Sequence, residues 1–174
     1  MNAREIETCI DAFGTDIYRF CLKLCADQAD AEDLDQQTFL KALEPEWTLD
    51  WENTPKALFF SLAHNLWKSD RRKWARRNTI APCSNLDDEM ERMLRSEENV
   101  EERYFQKELV EQVRRIIQTL PEKFQVPLIL FYLSDCSIEQ IAVIIKKPPG
   151  TVKSRLFKGR KLIKKRLEDA GYER

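Results

Sequence analysis

"SIEQIAVIIKKPPGTVKSRLFKGRKLIKKRL", residues Ser137 to Leu167, decides the fold of this chain. Ser137 followed by Gln140 has the spacing of a capping box, in which two side chains satisfy free N–H groups at a helix start. Ile138, Ile141, Ala142 and Ile145 then give that helix an apolar side. "KKPP" ends it: Lys147 precedes a proline and is pushed out of the α region, and the prolines carry φ angles suited to a new helix. A short helix, a tight corner and a second helix make a helix-turn-helix. In the second helix Val152, Leu156, Gly159 and Ile163 share one face and are expected inside. Lys153, Ser154, Phe157, Lys158 and Lys161 share another. Lysines suit DNA phosphates, and an aromatic ring suits a thymine methyl or sugar in the major groove. The plainer reading is a solvated lysine-rich helix with Phe157 in a peripheral cluster. The DNA reading is favoured because corner, basic face and absence of acid coincide.

Outward from this stretch, the composition agrees. The chain has 174 residues, 43% hydrophobic and 34% charged, with only four glycines, too few for a turn-rich β fold. The fold class expected is all-α. The net charge of −1 hides an asymmetry. From Lys146 to Arg166 there are ten Lys or Arg and no Asp or Glu, and a second basic run, "KSDRRKWARR", spans Lys68 to Arg77. Between them "NLDDEMERMLRSEENVEER", Asn85 to Arg103, is mostly acidic. Two basic patches around an acidic middle suggest a polyanion contacted at two places. The start "MNAREIETCI" lacks the order of a signal peptide, and no apolar run approaches the ~18 residues of a membrane helix, so a cytoplasmic protein is expected. Five scattered cysteines argue against a disulfide framework. Cys21 and Cys25, one turn apart, could share a metal with Cys9, but buried thiols acting as small apolar groups are the default. No metal and no cofactor are expected. One histidine, His64, no glycine-rich phosphate loop and no nucleophile pattern leave no enzyme site to defend.

The front of the chain is also helical by period. Ile6, Ile10, Phe13, Ile17, Phe20 and Leu24 recur at spacings of one buried face. "DQADAEDLDQQTFLKALEP" crowds acid into its first turn, where the helix dipole favours it, and stops at Pro45. From Pro55, the residues Leu58, Phe59, Leu62, Ala63 and Leu66 make a third stripe that runs into the basic, tryptophan-containing stretch. Towards the back, Leu109, Val113, Ile116, Ile117 and Leu120 make a stripe before Pro121. Pro127 inside "EKFQVPLILFYL" is expected to kink or restart its helix. The organisation is therefore two small helical domains, 1–77 and 105–174, joined by an acidic linker over 78–104.

"LPEKFQVPLILFYLSDCSIEQIAVIIKKPPGTVKSRLFKGRKLIKKRL" resembles region four of the extracytoplasmic-function (ECF, group four) sigma factors of bacterial RNA polymerase. The matching elements are Leu120-Pro121-Glu122-Lys123, Ser137 with Glu139, Ile141 and Ala142, and Gly150-Thr151-Val152-Lys153-Ser154-Arg155-Leu156. Lys146 stands where the family often has glycine in the turn, so it must either avoid φ > 0 or accept strain. "DAEDLDQQTFLKAL" and "LFFSLAHNLWKSDRRKWARR" are similar to sigma region two, and the likeness covers roughly residues 8–77 and 105–168. It implies a factor that directs core polymerase to promoters and helps initiate transcription. Asp30, Glu32, Asp33 and Gln36 would face the polymerase β′ clamp helices. Asn65 would hold a flipped base of the melted −10 element, with Arg71, Arg72 and Lys73 on phosphates and Trp67 or Trp74 stacking on a base. Burial between helices competes with stacking for each tryptophan. Thr151, Lys153, Ser154, Arg155, Phe157, Lys158 and Lys161 would read the duplex −35 element, and the back domain would dock on the β flap. An anti-sigma factor is the further partner implied. A dimeric helix-turn-helix regulator acting without polymerase is the competing reading, and it leaves the front half unexplained.

Overall fold

The computed structural model describes residues 3–25, 27–44, 55–75 and 100–172. Among the described residues there are seven helices and no strand, as the all-α expectation required. They are α1 (Ala3–Leu24), α2 (Gln28–Ala42), α3 (Pro55–Ala75), α4 (Val100–Thr119), α5 (Glu122–Leu133), α6 (Ile138–Ile144) and α7 (Pro149–Asp169). Of the acidic stretch expected to link the halves, 78–99 lies outside the described residues, and 100–104 already belong to α4.

The front half is a three-helix bundle. Ile6, Cys9, Ile17, Phe20, Cys21 and Leu24 bury one face of α1. Ile10, expected in that stripe, is exposed, because its neighbour Cys9 takes the inward place. Phe20 meets Phe60 of α3 edge-on at 4.9 Å, and Phe39 of α2 meets Phe59 at 5.0 Å. Each such ring contributes about 1.5–3 kcal/mol through burial. Lys56 and Asp16 form an ion pair at 2.5 Å that ties the start of α3 to α1.

The back half is built around α5 and α7. The helix α5 runs as a single element through Pro127, where a kink or restart was expected. Its lost hydrogen bond is tolerated because Pro127 lies among buried Val126, Leu128, Ile129 and Leu130, so packing holds what the backbone gives up. Gly159 lets α7 approach α5 closely: a Cβ there would stand 2.9 Å from Cδ1 of Leu128.

Both bonds of the capping box form: Ser137 Oγ accepts from the Gln140 N–H at 3.1 Å, and Gln140 Oε1 accepts from the Ser137 N–H at 2.8 Å. At the other end of α6, Lys147 N–H donates to the Ala142 carbonyl at 3.0 Å and Lys146 N–H to that of Val143 at 3.3 Å. These two bonds close a Schellman motif, whose C′ position needs a left-handed residue. Lys146 supplies it at φ 52°, so the lysine accepts the strain, about 1–2 kcal/mol for a residue with a Cβ. After α7 the same pair of bonds recurs with Gly171 at φ 87°, where the conformation is free of that strain.

The two halves pack directly on each other, α3 against α6 and α1 against α5, and their apolar cores run together into one. Ser61 Oγ of α3 donates to the Ile144 carbonyl of α6 at 3.5 Å. No helix among the described residues is long and apolar enough to cross a membrane.

Candidate nucleic-acid interface

Helix α7 inserts Val152, Leu156 and Gly159 into the core and turns the opposite face outward. Lys153, Ser154, Phe157, Lys158 and Lys161 are all exposed on that face. Phe157 keeps 53% of its surface in solvent, with Lys161 Nζ 4.6 Å from its ring centre. An apolar ring held open among lysines costs solvation in the free chain and is suited to a partner that offers both methyls and phosphates. Ser154 Oγ donates to the Thr151 carbonyl at 3.0 Å, and Thr151 is half-buried at the first turn. Arg155 leans off this face and lines the junction between the halves, beside His64 and Lys68 of α3.

The front basic segment continues the third apolar stripe without a break. Pro55 to Ala75 is one continuous helix of 21 residues, so Asn65 sits mid-helix and exposed rather than between two helices. Trp67 is 8% exposed and packed in the core, with the Arg71 guanidinium 5.0 Å over its ring. Stacking of Trp67 on a base therefore requires its surroundings to open. Arg72, Lys73 and Trp74 follow on the last turn of α3, and their side chains lie outside the described residues.

On α2, Glu32, Asp33 and Gln36 are exposed and Asp30 is half-buried. Gln28 Nε2 donates to Glu32 at 2.9 Å and Gln37 Nε2 to Asp33 at 2.6 Å, which orders the acidic face. Burial, then the charges of Asp27 and Asp33, raises the Asp30 carboxyl above its ordinary value. Asp30 and Asp33 open into a cleft of about 330 Å³ whose far wall is Gln118 and Gln125 of the back half. Gln125 is 3% exposed and its Oε1 has no partner among the described residues. Asp35, outside the clamp-facing set, is a half-buried carboxylate whose Oδ1 has no partner among the described residues, and burial pushes it up to about 6. Its position one residue from the buried Leu34 was the available signal.

The junction holds the second feature that motifs missed. His64 is 6% exposed, its Nε2 lies 3.5 Å from Glu122 Oε1, and Lys68 Nζ lies 3.2 Å from the same oxygen. Burial lowers the His64 pKa, with Glu122 working against that shift. Its Nδ1 is buried without a partner among the described residues. Period alone marks His64 as inward, because it stands four residues after Phe60 and three before Trp67. The buried thiols are held protonated by desolvation, Cys25 up to about 12 and Cys136 to about 11, so neither is poised as a nucleophile.

The sequence matches Sigma-70 region 2 over residues 9–77 and Sigma-70 region 4 over residues 110–163. It is 27% identical over 169 residues to the ECF RNA polymerase sigma factor SigW of Bacillus subtilis, covering 92% of this chain and 87% of that one. It is 28% identical over 170 residues to the RNA polymerase sigma-H factor of Pseudomonas aeruginosa, covering 96% and 88%. Among solved structures, the fold is similar to sigma factor RpoE in complex with the anti-sigma factor NepR from Bartonella quintana. That likeness has a TM-score of 0.75 at 19% identity and covers 95% of this chain and 98% of that one. A structure of CnrH with the cytosolic domain of CnrY gives a TM-score of 0.65 at 14% identity, covering 97% and 90%.

Proposed function

The chain belongs to the sigma-70 family, as a sigma factor of the ECF type, and on that premise we propose how its two halves divide promoter recognition. A factor of this type directs core RNA polymerase to specific promoters and helps initiate transcription. In the proposal, residues 1–77 dock on the β′ clamp helices through Asp30, Glu32, Asp33 and Gln36. Asn65, Arg71, Arg72, Lys73 and a tryptophan, Trp67 or Trp74, engage the melted −10 element. Residues 105–174 dock on the β flap and lay α7 in the −35 major groove, with Lys153, Ser154, Phe157 and Lys158 nearest the bases. Thr151, Arg155 and Lys161 flank them. The stretch between, 78–104, spans the two sites. Assignment to group four and action in the cytoplasm belong to the same reading.

The observation that carries it is the outward face of α7. Exposed lysines surround an exposed phenylalanine, and no acid stands between Lys146 and Arg166 to repel phosphate.

The packed arrangement is the resting form in this reading. With the halves together, Trp67 is buried and the acidic cleft of Asp30 and Asp33 is walled by Gln118 and Gln125. Polymerase and promoter then engage a chain whose halves have parted. An anti-sigma factor that grips both halves would hold the resting form, and the complex of RpoE with NepR, which shares the fold, supports that kind of partner.

Run-off transcription with core polymerase tests the proposal. Promoter-specific transcripts that require this chain are expected. Tight binding to duplex DNA with no initiation on any template would instead favour a helix-turn-helix regulator that works without polymerase.

A further inference from the structure

Between the halves lies a recess of about 320 Å³, of whose lining the division of promoter recognition uses Arg155 alone. Its wall carries Lys68 of α3, Lys123 of α5, Lys147 of the corner and Arg155 of α7, against one carboxylate, Glu122. Glu122 is already engaged by Lys68 and His64. Lys123, Lys147 and Arg155 form no ion pair with a described residue, so the recess holds an excess of fixed positive charge. Like charges gathered in a concave, half-enclosed space repel one another unless an anion joins them.

Two further features belong to the same wall. Pro121, Glu122 and Lys123 are the first residues of α5, whose N terminus has no side-chain cap. Free N–H groups and the positive end of the helix dipole therefore face the recess. His64, more than nine-tenths buried, also lines it from the front half, with its Nε2 3.5 Å from Glu122 Oε1. Lys68 and His64 come from the front half and Lys123, Lys147 and Arg155 from the back half, so the site is complete only while the halves are packed.

We infer that this junction is a binding site for a small polyphosphate anion, pyrophosphate or the phosphate end of a nucleotide, which fastens the two halves together. The recess admits a compact ligand with several phosphate oxygens, whereas a duplex is too wide to enter between packed halves. Arg155 can meet such a ligand with its planar fork and the lysines with point charges. Because the ligand contacts both halves, it favours the packed form and, by linkage, opposes any partner that needs them apart. The inference rests on the packing and not on the promoter reading, so binding of pyrophosphate and run-off activity can fail separately.

The test is isothermal titration of the full chain with pyrophosphate, ATP, inorganic phosphate and sulfate at fixed ionic strength. Pyrophosphate or ATP is expected to bind at least about tenfold more tightly than sulfate. The bound anion should also raise the melting temperature, as a ligand of the native state must. The double variant Lys123→Gln, Lys147→Gln, which leaves the proposed promoter contacts in place, should lose about tenfold in affinity while keeping its circular dichroism spectrum. If that pair fails to fold, Lys147→Gln alone should lose severalfold. Equal affinity for sulfate and pyrophosphate would reveal an adventitious ion only and overturn the inference. So would full affinity in a folded variant.

Discussion

Glu122 is the residue whose removal should part the halves. It contributes one oxygen to two contacts across the junction, Lys68 Nζ at 3.2 Å and His64 Nε2 at 3.5 Å. Lys68 keeps 41% of its side chain in solvent, so that pair is screened and contributes about 0.2–1 kcal/mol. The imidazole is nearly buried, and a hydrogen bond to it adds about 0.5–1.5 kcal/mol. The favourable position of Glu122 at the start of α5 belongs to both the packed and the parted chain and cancels. Glu122→Ala should therefore shift the equilibrium by about 1–2 kcal/mol, a factor of about 5–30 towards the parted form. The direction is reinforced because Lys68, Lys123, Lys147 and Arg155 are left around the recess with no carboxylate in its wall. Two measurements read this. Small-angle scattering of the free chain should show a larger radius of gyration, and the variant should outcompete the parent for limiting core polymerase. An unchanged scattering profile with equal competitiveness would refute the reasoning. A lower melting temperature with no gain in competition would mark Glu122 as structural only.

Three further outcomes are expected. Lys153→Ala should weaken initiation on promoters that have a −35 element, by roughly 1–3 kcal/mol of lost contact, and lower the salt dependence of binding by about one charge; equal losses on promoters lacking that element would count against the contact. Asp35 has a folded-state pKa of about 6, above the ordinary 3.8, so the fold favours its protonated form. Ionising it costs stability as pH rises through that window, and Asp35→Asn should melt higher than the parent at pH 7.5, with the gap closing by about pH 4; a gap independent of pH would remove desolvation as its cause. Gly159→Ala gains about 1 kcal/mol of helix propensity but drives a methyl to within 2.9 Å of Leu128, which is wholly buried. Overpacking of about 1–3 kcal/mol should prevail, lowering the urea midpoint, with partial recovery on adding Leu128→Val; a higher midpoint would show that Leu128 turns aside freely.

The helix-turn-helix was legible because its signals are local. A capping box needs only Ser137 and Gln140, and the corner needs only the adjacent prolines, so short-range chemistry fixes both. The faces of α7 followed from helical period, which places Val152 and Leu156 inside and Phe157 out. Period says which face is buried but not what covers it, and there the reading stopped. Trp67 on a basic stretch suggests a base, yet its stripe continues that of Phe60 and Ala63 into the core. The third stripe runs into the basic stretch as one helix through Asn65, because backbone hydrogen bonding ignores a change of composition. At Pro127 the helix does not restart, because a strong local rule met an interior apolar enough to hold the element together. The junction of His64, Lys68 and Glu122 joins residues more than fifty positions apart, and no spacing rule reaches that far.

The common core also has a consequence in time. Among the described residues, the flank of α3 that carries Ser61 and His64 is met by α5, α6 and Arg155 of α7, which leave the ribosome well after it. At about 5–20 residues per second, several seconds pass between the two. During each round of synthesis the front half is complete with that flank bare, and a nascent chain is briefly open in the way proposed for the chain on polymerase.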